Sequence, residues 1–193
     1  MKKFFVLILL SAVYISVNAQ GTFKDPRDGN VYKTVTIQGM VWMAENLRYK
    51  APGGAYYFDN NPNTIQQYGM LYDWKTAMKA CPDGWRLPTG DEFRALITNN
   101  EVKEAMKARP NESNAYSIQL AGMQDHEGNL TEIDESGYYW TSTEYDENNA
   151  EYFSYLTVFN APVADISRKE DIGDMHGTEK TNKYSVRCVK IQK

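Results

Sequence analysis

Polar and apolar residues alternate from position 31 to 37, where Val31, Lys33, Val35 and Ile37 interleave with Tyr32, Thr34 and Thr36. A period of two is the signature of a strand. With Gln38-Gly39 leading into Met40 to Met43 it predicts an N-terminal hairpin, entered through a turn at 25–30 (DPRDGN). The period then lengthens. Trp74, Ala77, Met78 and Cys81 recur at helical spacing behind Asp73, a candidate cap, which predicts a first helix. Trp85 and Leu87 flank Arg86 at period two, a short strand closed by Pro88, which cannot donate to a ladder. Thr89 and Glu92 have the spacing of a capping box, and Phe93, Leu96 and Ile97 behind them give a second helix one apolar face. Glu101 to Ala108 can add another turn or two before Pro110. From Tyr116 onward the pattern is β, with strands predicted at 116–123, 138–142, 152–159 and 184–189 and a turn at 126–129. Residues 48–68 read as an ordered loop in which aromatic residues keep returning. Residues 160–183 form a loop so long for a compact domain that it is either functional or disordered. The outcome is an α+β fold in a single domain.

The first nineteen residues stand outside that pattern. Lys2-Lys3 is a basic start, Phe4 to Val17 an apolar run, and Val17-Asn18-Ala19 puts small residues before Gln20. This predicts a secretory signal peptide over 1–19, cleaved after Ala19, and a mature domain over 20–193. The run is shorter than the ~20 apolar residues of a membrane span. No Cys lies near the cleavage site to carry a lipid anchor. The expected address is therefore secreted, periplasmic or cell-surface.

Removing that leader takes away two of the 21 basic residues and none of the 25 acidic ones, so the formal net charge goes from −4 to −6. An acidic chain is a poor partner for nucleic acid or an anionic membrane. The two cysteines, Cys81 and Cys188, are an even pair bound for an oxidising compartment, which favours a disulfide. A zinc site is disfavoured, because His126 and His176 lack the clustered spacing zinc requires. Asp25, Asp28 and Asn30 lack the twelve-residue calcium pattern and read as a solvated turn.

Five stretches carry a resemblance: GNVYKTVTIQGMVWMAENLRYK at 29–50, YGMLYDW at 68–74, CPDGWRLPTGDEF at 81–93, GYYWTSTE at 137–144 and SVRCVK at 185–190. Together they resemble the Fibrobacter succinogenes major paralogous domain, a family of secreted bacterial domains. That family is similar to the C-type-lectin-like fold. The resemblance implies two main helices flanking a twisted antiparallel sheet with long loops, with the N- and C-terminal strands side by side. It also implies a disulfide from the first helix to the last strand, where Cys81 and Cys188 stand. It brings no settled activity with it.

Three functional readings follow from relatives of that fold. The first is a non-catalytic binding module for a carbohydrate or protein surface ligand. Lectins of this fold often hold sugar through calcium, but Asn61-Pro62-Asn63 lies before the first helix rather than in the long loop, and Thr181-Asn182-Lys183 puts Lys where a carboxylate belongs. No cofactor is expected. The binding candidates are instead Glu144, Tyr145, Asp146, Asn148 and Asn149, with loop 160–183, because acidic, amide and aromatic groups cluster there just after a strand. The second reading is an enzyme resembling formylglycine-generating enzymes, suggested by RLPT and VRC, but that chemistry needs free thiolates and both cysteines are expected to be bridged. The third is a structural or assembly subunit of the cell surface. Trp85, Arg86, Thr89, Glu92, Trp140 and Arg187 are assigned to the scaffold.

Overall fold

The computed structural model describes residues 19–56, 61–99, 102, 116, 118–158, 161–166 and 177–191. The fold is mostly β, with a few short helices and a curled sheet. Strands β1 (Ala19–Lys24), β2 (Val31–Ile37), β3 (Met40–Met43), β14 (Val189–Lys190) and β6 (Trp85–Arg86) form one sheet in the order β1-β2-β3-β14-β6. The second sheet runs β11 (Ala161–Ile166), β10 (Asn149–Val158), β9 (Ser136–Glu144), β13 (Tyr184–Ser185), β5 (Leu71–Tyr72) and β4 (Ala55–Tyr56). On its flanks β12 (Thr178–Glu179) pairs with β10, and the hairpin of β7 (Ala121–Gln124) and β8 (Leu130–Ile133) joins β9. The sheet is not purely antiparallel as expected, since β9 runs parallel to both β13 and β7.

The predicted hairpin is β2–β3, with Val35 opposite Trp42. Its partner β1 carries no clear alternation and was not foreseen. The helix predicted behind Asp73 is α2 (Trp74–Ala80), where the Asp73 carboxylate accepts from the Thr76 amide at 2.8 Å. The helix behind Thr89 is α3 (Gly90–Thr98): Thr89 Oγ1 accepts from the Glu92 amide at 3.2 Å, and the Glu92 carboxylate accepts from the Thr89 amide at 2.8 Å. Phe93 and Leu96 carry its buried face against Trp42, Tyr139 and Phe153.

Elsewhere the structure departs from the reading. Residues 48–68, taken as loop, hold β4 and a helix α1 (Pro62–Tyr68). Asn61 accepts from the Asn63 amide as N-cap, Pro62 opens the helix where no amide is needed, and Gly69 ends it at φ 80°. Of the strand expected at 116–123, residues 121–123 lie in β7, which runs on to Gln124; ahead of it Tyr116 and Ile118 are buried. Loop 160–183 contains β11 and β12, and its residues 160 and 167–176 lie outside the described residues, as does the expected helix at 101–108 apart from the buried Val102. The expected last strand is two, β13 in one sheet and β14 in the other, so residues 186–188 carry the chain between sheets. At that crossing Cys188 is bonded to Cys81, the residue that ends α2, with 5.9 Å between their Cα atoms and 107 positions between them in sequence. Asp25 is not a solvated turn residue either: it is fully buried, and its carboxylate is gripped by Arg27.

Candidate functional site

The stretches richest in distinctive residues tie the scaffold together. The Trp140 indole donates to the Tyr72 carbonyl at 2.6 Å, the Trp74 indole to the Thr141 carbonyl at 2.8 Å, and the Ser142 amide to the Pro88 carbonyl at 2.7 Å. Trp140 is wholly buried and stacks on Tyr184 at 4.5 Å between centroids, so it offers no platform to a ligand. Trp85 is buried against Phe23. Arg86 donates through two nitrogens to Glu92, which ties the strand to the capping box. Burial would raise the Glu92 carboxyl, but the hydrogen bonds and charge of Arg86 and the Thr89 amide hold it below its ordinary value.

A second tie, which sequence reasoning missed, centres on Asn46. Its amide nitrogen donates to the Tyr68 carbonyl at 2.9 Å and to Ser185 Oγ at 3.1 Å, and its oxygen accepts from Arg187 Nη2 at 2.8 Å. Gln119 joins it, accepting the Asn46 backbone amide at 2.7 Å. Arg187 is fully buried and lies over the rings of Tyr116 and Tyr139 at 4.6 and 5.3 Å. Nothing local distinguishes Asn46 from any polar residue after a strand, since its partners come from three distant stretches, at Tyr68, Gln119 and Ser185 to Arg187.

The acidic turn proposed as a binding loop is largely occupied by its own structure. Asp146 accepts from the Asn148 and Asn149 amides and from the Asn149 side chain, each at 2.8–2.9 Å, which holds its carboxyl below the ordinary value. The Lys180 ammonium donates to the Glu144 carboxylate and to the carbonyls of Asp146 and Glu147, and lies 4.7 Å from the centroid of the Trp74 ring. Tyr145 is half-buried against Gly177, while the Glu147 and Asn148 side chains are exposed. The Lys180 carbonyl accepts the Trp74 amide at 3.0 Å, which anchors the turn to the start of α2.

The same helix start borders a cavity of about 490 Å³, lined by Arg27, Tyr49, Ala51, Pro52, Gly53, Asp73, Lys75, Thr76 and Lys79. Three stretches far apart in sequence build it. The Arg27 guanidinium lies 3.7 Å from the centroid of the Tyr49 ring and donates to Asp25 through Nε at 3.0 Å and Nη2 at 2.7 Å. Burial would raise the Asp25 carboxyl, but the hydrogen bonds and charge of Arg27 hold it low. The Tyr49 carbonyl accepts from the Tyr72 hydroxyl at 2.6 Å and the Ala51 amide at 2.9 Å, so the loop is pinned. Gly54 then passes so close to α2 that a Cβ there would stand 2.1 Å from Thr76 Oγ1. Lys75 and Lys79, one helical turn apart and exposed, stand at the cavity wall. Their spacing was visible in the sequence, but nothing linked them to Arg27 and Tyr49.

These features define a small disulfide-tied domain, mostly β, with its distinctive residues in the scaffold and a cationic cavity beside α2. Residues 35–190 match the Fibrobacter succinogenes major domain, and the chain belongs to that family. Comparison with curated proteins and with solved structures gives no match. Among the described residues no group of three or more His, Cys, Asp or Glu could hold a metal ion, and no helix is long and apolar enough to cross a membrane.

Proposed function

We propose that this protein is a non-catalytic, extracytoplasmic binding module with a C-type-lectin-like fold that recognises a surface polymer, carbohydrate or protein. The observation that carries the reading is the preformed cavity beside α2, lined by Lys75 and Lys79 of the helix and by a loop that hydrogen bonds fix at Tyr49 and Ala51. Pre-organised concavities on rigid scaffolds are the usual seats of recognition. The acidic turn Glu144–Asn149 is held by Lys180, whose carbonyl accepts the Trp74 amide at the start of the same helix, so it braces the helix that walls the cavity. The disulfide is compatible with an extracytoplasmic location, and the leader read from residues 1–19 gives the same address. Since both cysteines of the chain are bridged, no thiolate is at hand for chemistry of the formylglycine-generating kind.

The test is a glycan array and a cell-wall pull-down with the secreted protein, each with and without calcium. Retention of a defined polymer, unchanged and independent of calcium, is expected. Failure to retain any material, or cleavage of what is retained, would overturn the reading. An assembly subunit would instead self-associate, which sedimentation of the purified protein distinguishes.

A further inference from the structure

We propose that the cavity between residues 49–53 and α2 takes one carboxylate-bearing sugar unit of an acidic polysaccharide. The inference rests on the binding-module reading and names the chemistry of its site. Charge comes first. Asp25 neutralises Arg27, and Asp73 offsets one of the two lysines, so one positive charge is left over. That surplus matches a monoanionic carboxylate better than a phosphate group, which carries about −1.5 to −2 near neutral pH.

The other polar groups suit hydroxyls. Asp73 Oδ1 accepts from the Thr76 amide at 2.8 Å and Oδ2 from the Thr76 hydroxyl at 3.2 Å, which leaves each oxygen a lone pair for a further donor. A carboxylate in the wall repels a bare anion but accepts from ring hydroxyls. A unit bearing both a carboxylate and hydroxyls satisfies the lysines and Asp73 together. The volume lies within the ~300–1,000 Å³ of small-molecule sites, enough for a sugar ring and part of its neighbours. Ala51, Pro52 and Tyr49, one face of whose ring is covered by Arg27, are the apolar-bodied residues of the lining, a surface of the kind a sugar ring's C–H face can rest against.

Isothermal titration of the full chain at low salt decides the matter, with trigalacturonate as the probe and its methyl ester, triglutamate and inorganic phosphate as comparisons. Trigalacturonate is expected to bind, the methyl ester at least ten times more weakly, and triglutamate and phosphate more weakly still. The double variant Lys75→Gln with Lys79→Gln is expected to bind trigalacturonate at least ten times more weakly while melting as the wild type does, because both side chains are exposed. Equal binding of the methyl ester, triglutamate or phosphate would overturn the inference, as would a double variant that binds undiminished, or no binding at all. Should the array recover a neutral glycan or a protein while trigalacturonate fails, this inference falls and the binding-module reading stands.

Discussion

Asn46→Ala is expected to be among the most damaging single substitutions in the protein. The residue is fully buried, and its side chain makes one hydrogen bond to a guanidinium and two to neutral acceptors. A buried bond to a charged group is worth about 1.5–3 kcal/mol and each neutral one about 0.5–1.5 kcal/mol. Losing all three costs roughly 2.5–6 kcal/mol on that scale. Domains are stable by only about 5–15 kcal/mol in total, so the loss is a large share of it. In a chain of this size, at about 2–4 °C per kcal/mol, the melt should fall by roughly 5–24 °C. Urea denaturation measures the effect directly, with an unchanged slope showing that the two end states are the same. Ser185→Ala, which removes one neutral bond, should cost only about 1 kcal/mol. In an Arg187→Met background, where the cation is replaced by an apolar chain of similar length, Asn46→Ala should cost about 1.5–3 kcal/mol less than in the wild type. An Asn46→Ala loss below about 1 kcal/mol, or no larger than that of Ser185→Ala, would refute the view of Asn46 as the hub that joins the two sheets.

Other expectations are more local. Thr89→Ala removes the cap of α3 and should cost about 1 kcal/mol in urea denaturation without altering binding. Replacing Cys81 and Cys188 together by Ser opens a loop of 107 positions and should cost about 4–5 kcal/mol on the chain-entropy model, and intact mass of secreted material before and after alkylation should show no free thiol. Asp25 and Glu92 both have carboxyls held below their ordinary values, so the stability they contribute is complete above the unfolded carboxylate pKa near 4 and is lost as pH falls through the lower folded values. Urea midpoints should therefore drop between pH 5 and pH 2 in the wild type and drop less in Asp25→Asn, and equal drops in both would remove Asp25 from that account.

What could be read from sequence was what is encoded locally. The caps at Asp73 and Thr89 lie within four residues of the amides they serve, so α2 and α3 were visible from spacing alone. The β2–β3 hairpin was visible because one turn joins two short runs. Strand β9 was underestimated because its first six residues are buried on both faces and so do not alternate, and β8 was missed because it is mostly exposed. Helix α1 carries the asymmetry of a proline inside its start and a glycine past its end, but it has no apolar stripe, so hydrophobic periodicity does not mark it as a helix. The split of residues 184–190 between two sheets is set by which strands flank each half, a long-range matter no local pattern records. The cavity was hidden for the same reason, since Arg27, Tyr49 and Lys75 meet only after folding. The acidic turn at 144–149 stood out in sequence because Asp and Asn favour turns, and in the structure Asp146 organises such a turn.

On the proposed reading the distinctive motifs build the scaffold and recognition belongs to the cavity beside α2. Titrating trigalacturonate into the isotopically labelled protein and following backbone amide shifts by NMR tests both halves at once. The account predicts shifts concentrated at Tyr49 to Gly53 and Asp73 to Lys79, with Asn46, Trp85 to Glu92 and Arg187 unmoved. Shifts centred on those scaffold residues, or on Glu144 to Asn149 with the cavity silent, would contradict it.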